Sequence, residues 1–211
     1  VTHQKNETLA AELEPLWFDS WENITVEMPE ESITLAGWMM EHDASQPWVI
    51  IVHGIRSCKA NHEVLIPGAW LYQAGFNVIM FDMRDHGDST TEDGLVSAGQ
   101  REYRDVLAFW QWIQDEKDVP PERIGAIGIS LGAGAVAIAF EQEPLFQSVF
   151  LESPFSSMGT IIKEELVFAG FPPFLKDAAI FAGKVSSGDN LVKHEPIEAM
   201  EAIGNLSLIH I

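Results

Sequence analysis

A serine between two glycines, at the junction of two apolar segments, constrains the fold of this chain more than any other feature. The residues Gly128-Ile129-Ser130-Leu131-Gly132 follow the apolar run Ile124–Ile127, which predicts a buried strand, and precede the small-residue run Ala133–Ala139, which predicts a helix. So sharp a turn strains the serine backbone, and glycines at the two flanking positions avoid steric collision. This nucleophile elbow would hold the serine Oγ where a base and a substrate carbonyl can both reach it.

A second motif supports this interpretation. The apolar, β-branched run Trp48–Val52 predicts a strand buried on both faces of a parallel sheet, and it ends in His53-Gly54. Acyl transfer passes through a tetrahedral oxyanion, which needs hydrogen-bond donors placed in advance. We expect these donors to be the backbone N–H groups of Leu131 and Ile55. Taken alone, His53-Gly54 would equally well be the cap of a strand, but the serine turn downstream favours the oxyanion hole.

A third motif follows the apolar run Phe76–Phe81 and reads Asp82-Met83-Arg84-Asp85-His86-Gly87-Asp88-Ser89. With the two motifs above, it makes the chain resemble the α/β-hydrolases of the serine-aminopeptidase-like branch. The resemblance runs from about Trp21 to Gly204 and includes Glu152-Ser153-Pro154-Phe155, after the strand that follows the nucleophile helix.

The resemblance implies an α/β fold with a mostly parallel sheet and helices on both faces. An antiparallel pair, Asn23–Met28 and Ile33–Met40, should open the chain. Asp85 stands where the resembled pattern has glycine, and aspartate adopts a left-handed conformation less readily than glycine. We interpret it as a tolerated loop variant, and we expect Asp82, Arg84 and His86 to shape this loop rather than to react.

Composition favours one α/β-hydrolase domain over residues 1–211, since a chain of this length can bury a full core. The formal net charge of −20 argues against nucleic acid and anionic membrane surfaces as partners, and would suit a high-salt habitat. No apolar run is long enough to span a membrane. A single cysteine, Cys58, excludes an internal disulfide and is interpreted as a small loop residue. We expect a small-molecule or peptide acyl substrate and neither a cofactor nor a metal.

The spacing of apolar residues and the positions of prolines predict further helices and strands. Helices are expected over Ile66–Ala74, with a proline in or near the first turn, and over Gln100–Lys117, where Pro120-Pro121 would stop the helix. Ser148–Leu151 should be a strand. The long aromatic-rich segment 156–190 is interpreted as a cap insertion over the active site, with a surface helix pair as the alternative.

The expected partners of the serine are missing. In this fold the triad order is serine, acid, histidine, so the acid and the base must both follow Ser130. His194 lies in a polar connection and His210 in a strand-like run, and neither is a suitable base. Glu152 could supply the acid, which still leaves no base. We therefore expect the last core strands, the acid and the histidine to lie beyond Ile211.

The two ends of the chain are unusual. Residues 206–211 read either as the start of the next family strand or as an adapter-derived scar, and the scar is favoured. Val1 stands where a start methionine is expected, so an upstream signal or anchor stays open. The sequence leaves the localisation open: the protein would act in the cytoplasm or be tethered by an upstream segment.

Two functions remain in view. The first is a serine hydrolase that cleaves an ester, thioester or amide through an acyl-enzyme on Ser130. The second is a non-catalytic hydrolase-like domain that binds an apolar ligand or partner under the cap. The intact serine turn favours catalysis. The 211-residue chain alone should be inactive, because its triad is incomplete, and poorly soluble or partly unfolded, because a strand edge is left unpaired.

Overall fold

Strands alternate with helices along the chain. The computed structural model describes residues 21–143, 145 and 148–202, and the ends of the chain discussed above lie outside them. Its strands are β1 Glu22–Met28, β2 Ile33–Met40, β3 Trp48–Val52, β4 Asn77–Phe81, β5 Ile124–Ile129 and β6 Ser148–Glu152. Its helices are α1 His62–Gln73, α2 Tyr103–Lys117, α3 Leu131–Gln142, α4 Met158–Phe168, α5 Lys176–Ser187 and α6 Pro196–Ala202, with 3₁₀ turns at Pro121–Arg123 and Pro173–Leu175.

The strands form one sheet in the order β1-β2-β4-β3-β5-β6. β1 pairs with β2 and β2 with β4 in antiparallel register, whereas β4, β3, β5 and β6 are parallel to one another. The prediction of a mostly parallel sheet with an antiparallel pair at the amino-terminal side is confirmed.

Helices cover both faces of this sheet. Side chains of β3 alternate between the faces: Ile50 and Val52 join a cluster with α2 and α3, and Ile51 joins a smaller cluster with α1. Because both faces are covered, the central strands are almost continuously apolar. α3 is thin, with alanines and glycines along most of its length, so it lies close to the sheet.

Two predicted helix starts are wrong. α1 begins at His62, four residues before the predicted Ile66, because the side chain of Asn61 accepts a hydrogen bond from a first-turn N–H and caps the helix. The proline therefore lies inside α1 and not in its first turn. α2 begins at Tyr103 rather than Gln100, because the Glu102 carboxylate binds backbone N–H groups of the preceding turn.

The segment 156–190 forms a helical hairpin, α4 and α5, whose two helices pack on each other. Gly159 is the one buried residue of α4, and α5 has none. None of the described helices is both long and apolar enough to cross a bilayer.

One buried polar side chain joins the amino ends of the central strands. Asn77, the first residue of β4, is fully buried, and its Oδ1 accepts hydrogen bonds from the N–H groups of His42 and Asp43. Its Nδ2 donates to the carbonyl oxygens of Asp43 and Gln46. The side chain thus supplies partners to a loop that has no regular structure of its own.

Replacing Asn77 with alanine should destabilise the fold, because four hydrogen bonds are lost and some of their backbone partners stay buried. We expect Asn77→Ala to lower the free energy of unfolding by about 2 kcal/mol or more. Asn23→Ala, at an exposed position of β1, is the control and should change it by less than about 0.5 kcal/mol. Urea unfolding measures both, and equal effects would contradict this role of Asn77.

Candidate active site

The carboxyl ends of three parallel strands bring the sequence motifs together. Val52 lies opposite Phe81 in the register of β3 with β4, and opposite Gly128 in the register of β3 with β5. The segments that begin at His53, at Asp82 and at Ser130 therefore leave the sheet at one edge. In open α/β sheets this is the edge at which ligands bind.

The backbone at Ser130 has φ 52° and ψ −109°, a conformation that non-glycine residues rarely adopt. Its N–H donates to the carbonyl oxygen of Glu152 at 2.9 Å, which ties the turn to the end of β6. A serine before a helix ordinarily caps it through its side chain. The Ser130 side chain makes no such bond with α3, so its hydroxyl group is not occupied by the helix terminus.

The two glycines around the serine lie where no side chain fits. A Cβ on Gly128 would come within 2.5 Å of the carbonyl oxygen of Gly132 and 2.7 Å of the nitrogen of Ala133. A Cβ on Gly132 would overlap the carbonyl oxygens of Val52 and His53. These obstacles are backbone atoms, which cannot rotate away. The first turn of α3 is therefore in backbone contact with the end of β3.

The N–H groups of Leu131 and Ile55, predicted to bind an oxyanion, lie close in sequence to the contact between α3 and the end of β3. Leu131 is the first residue of α3, so its N–H has no acceptor within the helix. Ile55 follows Gly54, whose carbonyl oxygen accepts from His53 Nδ1 at 2.7 Å and from the N–H of Ser57 at 3.3 Å. Since the peptide bond between Gly54 and Ile55 is trans, its N–H lies in the same plane as the Gly54 carbonyl and points in the opposite direction, away from His53 Nδ1 and the Ser57 N–H.

His53 is buried and both ring nitrogens are occupied. Nε2 accepts from the N–H of Met83 at 3.1 Å, so Nδ1 carries the proton that is donated to Gly54. Burial lowers the pKa of His53 from 6.5 to about 4, against the opposing effect of its hydrogen bond to Gly54. A neutral, fully bonded imidazole cannot take a proton from the serine. His53 positions the loop.

Asp82, at the end of β4, ties the neighbouring loop to the His53 loop. Its carboxylate accepts from the N–H of Lys59 at 2.6 Å, from Lys59 Nζ at 2.5 Å and from the N–H of Asp88 at 2.9 Å. Lys59 is 4% exposed, and its partners raise its pKa against the effect of burial. Sequence reasoning missed Lys59, although a lysine three residues beyond Arg56 in a chain poor in cations was a usable signal.

Arg84 and Asp85 also have architectural contacts. The guanidinium of Arg84 binds the buried Asp105 carboxylate through Nε at 2.9 Å and Nη2 at 2.6 Å, and Glu31 through Nη1 at 2.8 Å. Asp85 has φ 62°, the left-handed conformation that glycine would adopt more readily. Its Oδ1 accepts from the N–H groups of residues 92, 93 and 94, which stabilises that conformation. His86 packs on His53 with ring centroids 4.8 Å apart.

His194 lies far from the serine. Its Nδ1 is 3.7 Å from the Glu141 carboxylate, and its backbone exchanges two hydrogen bonds with the side chain of Gln100. Glu141 lies near the distal end of α3, about 15 Å along the helix from its start. Glu152, by contrast, lies beside Ser130 with an exposed side chain. His210 lies outside the described residues.

A cavity of about 450 Å³ lies between α4, α5 and the segment before α6. Residues that line it include Ser157, Thr160, Lys163, Lys176, Ile180 and Glu195. Ser130, Ile55 and Leu131 are not among its lining residues. The candidate active site is therefore the edge of the sheet that carries Ser130, and not this cavity.

Comparison with known proteins agrees with the fold. Residues 43–197 match the model of the serine aminopeptidase S33 family. An uncharacterized protein of Mycobacterium tuberculosis is 31% identical over 141 residues, which are 63% of this chain and 45% of that protein. An uncharacterized 31.7 kDa protein of Escherichia coli is 30% identical over 146 residues, 68% of this chain and 49% of that protein. The chain thus spans about half the length of these relatives.

Solved structures show the same architecture. An esterase from Pyrococcus furiosus superposes with a TM-score of 0.64 at 22% identity, over 96% of this chain and 70% of the esterase. A putative α/β hydrolase from Agrobacterium tumefaciens superposes with a TM-score of 0.55 at 20% identity, over 63% of this chain and 60% of that protein. At these identities the likeness establishes an α/β-hydrolase fold.

A side chain at Gly132 should disrupt the contact between α3 and β3. We expect Gly132→Ala to lower the free energy of unfolding by at least about 2 kcal/mol, because backbone must move. Gly183→Ala is the matched control, since a Cβ there meets only Leu191 Cδ1 at 3.8 Å. In the middle of α5 it should stabilise by about 0.5–1 kcal/mol. Urea unfolding distinguishes them, and a harmless Gly132→Ala would contradict the contact.

The buried imidazole should make stability depend on pH. An unfolded His53 takes up a proton near pH 6.5, whereas the folded one does so near 4, so the unfolded state binds more protons between these values. Stability should therefore fall by about 2 kcal/mol from pH 7 to pH 5 through this group.

Urea unfolding at the two pH values tests this contribution. His53→Asn should remove it, and the pH dependence should become correspondingly shallower. His42→Asn, at an exposed position on the opposite edge, should keep the wild-type difference between pH 7 and pH 5. An unchanged pH dependence in His53→Asn would show that this imidazole does not resist protonation.

Proposed function

Because the chain belongs to the serine aminopeptidase S33 family, we propose that it carries the nucleophile half of a serine hydrolase active site. Ser130 is the nucleophile, and the substrate is an ester, thioester or amide. The observation that carries this proposal is the left-handed backbone of Ser130 between two glycines that tolerate no side chain. A residue held in so rare a conformation needs surroundings that enforce it, and such strain clusters at active sites.

The proposed reaction begins when the Ser130 Oγ attacks the substrate carbonyl carbon. The oxyanion that forms accepts hydrogen bonds from the N–H groups of Leu131 and Ile55. Collapse of the intermediate expels the alcohol, thiol or amine and leaves an acyl group on the serine. Water then attacks the acyl-enzyme and releases the acid and the free serine.

The base that accepts the serine proton is proposed to come from residues beyond Ile211, together with the acid that orients it. Of the histidines after Ser130, the structure describes only His194, which contacts the distal end of α3. Glu152, which adjoins the serine turn, is the alternative candidate for that acid among the described residues. The α4–α5 hairpin is proposed to be a cap over the site.

A second candidate function rests on the surface of the α4–α5 hairpin. Phe168, Phe174 and Phe181 are 90%, 79% and 68% exposed, which is unusual for phenylalanine. A hydrolase-like domain without catalysis could bind an apolar ligand or partner there. The strained serine favours the hydrolase, since binding alone does not need it.

Replacing the nucleophile tests the proposal in the complete protein that carries this chain. We expect Ser130→Ala to lower the hydrolysis of a short activated ester by at least about 10³-fold, because the attacking oxygen is removed. The unfolding curve should stay close to that of the wild type. Ser148→Ala, at an exposed position on the opposite edge of the sheet, should retain full activity.

Two outcomes would contradict the proposal. Turnover that survives in Ser130→Ala would place the chemistry at another residue. Serine-dependent turnover by the 211-residue chain alone, at the level of an ordinary esterase, would show that the base is already among its residues.

A further inference from the structure

Glu63, a glutamate that no motif singles out, contacts the loop that follows β3. It is the second residue of α1 and is half-buried. Its Oε1 accepts a hydrogen bond from the N–H of Gly54 at 3.2 Å. The start of a helix favours a carboxylate at this position, since the helix dipole is positive there. The carboxylate therefore has two stabilising partners, the helix terminus and the loop.

This hydrogen bond completes a pair of restraints on Gly54. Its N–H, in the peptide shared with His53, is held by Glu63, and its carbonyl oxygen, in the peptide shared with Ile55, is held by the His53 imidazole. The two peptide planes on either side of the Gly54 Cα are thus both fixed. Because Ile55 N–H lies in the second plane, its direction depends on both restraints.

Gly54 needs such restraints because its own geometry does not fix it. A Cβ at this position would lie 3.4 Å from Ser130 Cβ and 3.5 Å from the Ile129 carbonyl oxygen, which are ordinary contacts. Crowding therefore does not hold the residue, and a glycine has the widest conformational freedom of any residue. The conformation of Gly54 is therefore set by the hydrogen bonds of its N–H and of its carbonyl oxygen.

The same distances place Glu63 near the serine. Ser130 Cβ and Glu63 Oε1 lie 3.4 and 3.5 Å from one point, the Cβ site of Gly54, so they are at most about 7 Å apart. A negative charge this close to a developing oxyanion would oppose it. The useful property of Glu63 is therefore its acceptor oxygen and not its charge.

We propose that Glu63 is a positioning residue that holds the Gly54–Ile55 peptide in place to receive the oxyanion. The proposal rests on the proposed function of Ser130 and concerns the same site. It predicts that an uncharged side chain of the same length with an acceptor oxygen can take over the role of Glu63. A side chain without an acceptor cannot.

Three variants of the complete protein test this role. Glu63→Gln keeps an acceptor and removes the charge, and Glu63→Ala removes both. Glu198→Ala is the matched control, since Glu198 is an exposed first-turn glutamate of α6. Two measurements are made on each variant. NMR gives the hydrogen exchange rate of the Gly54 amide, and steady-state kinetics with a short activated ester give kcat and KM.

In Glu63→Ala we expect the Gly54 amide to exchange at least about 10-fold faster. We expect kcat to fall about 10-fold to 100-fold with KM nearly unchanged, because the oxyanion donor is displaced and not removed. Glu63→Gln should stay within about 3-fold of the wild type in both measurements, and Glu198→Ala should match the wild type.

Unchanged Gly54 exchange in Glu63→Ala would overturn the inference, and so would an unchanged kcat or a Glu63→Gln variant as impaired as Glu63→Ala. Failure of the proposed function has a different signature, since turnover would then persist in Ser130→Ala. In that case the exchange rate of Gly54 still shows whether Glu63 holds the loop.

Discussion

The contact between the first turn of α3 and the end of β3 is the constraint on which the rest of the structure depends. No Cβ fits between Gly132 and the carbonyl oxygens of Val52 and His53, so backbone meets backbone. This approach fixes the height of Ser130 above the sheet and its distance from the loop at Gly54. The alanines of α3 continue the same close packing along the helix, which is why that helix is buried over nearly its whole length.

Buried charges hold the loops that surround this contact. Lys59 with Asp82 and Arg84 with Asp105 are ion pairs whose members are almost completely buried. Removing one member of such a pair leaves an uncompensated charge in the interior, which is strongly destabilising. The chain has only 12 lysines and arginines against 32 acidic residues, and two of these few cations, Lys59 and Arg84, hold the loops around the serine turn. Both pairs join the loop after β4 to another part of the chain.

The central strands could be predicted from the sequence, because each is a short apolar run that ends in turn signals, and the resemblance to α/β-hydrolases implied that most of them pair in parallel. Three of these runs end in the motifs, and the motifs meet at one edge because parallel strands that pair in register end together. The predicted start of α1 was wrong because the cap at Asn61 was missed and Pro67 was taken to lie in or near the first turn. Which atoms of this edge react with a substrate stays a prediction.

Lys59 and Glu63 were not found because their roles depend on partners distant in sequence or on a single backbone N–H. A motif identifies residues by type and spacing, whereas the Lys59 partner lies 23 residues away and the Glu63 partner is a glycine. The position of His194 was equally inaccessible, since only the folded chain shows that it contacts the distal end of α3. Polar contacts between residues that are distant in sequence can be identified only when the fold is known.

The α4–α5 hairpin is attached to the rest of the chain at its two ends. At one end, the carbonyl oxygen of Glu152 in β6 accepts a hydrogen bond from the N–H of Ser130. At the other end, the carboxylate of Asp189 lies 3.2 Å from Arg101 Nε. Between these two ends the helices pack on each other and bury almost nothing against the sheet. The hairpin is therefore held to the sheet through its two ends and not through the faces of its helices. One of these ends is bonded to the strained serine turn, so a force on the hairpin that displaces the end of β6 acts directly on the backbone of Ser130.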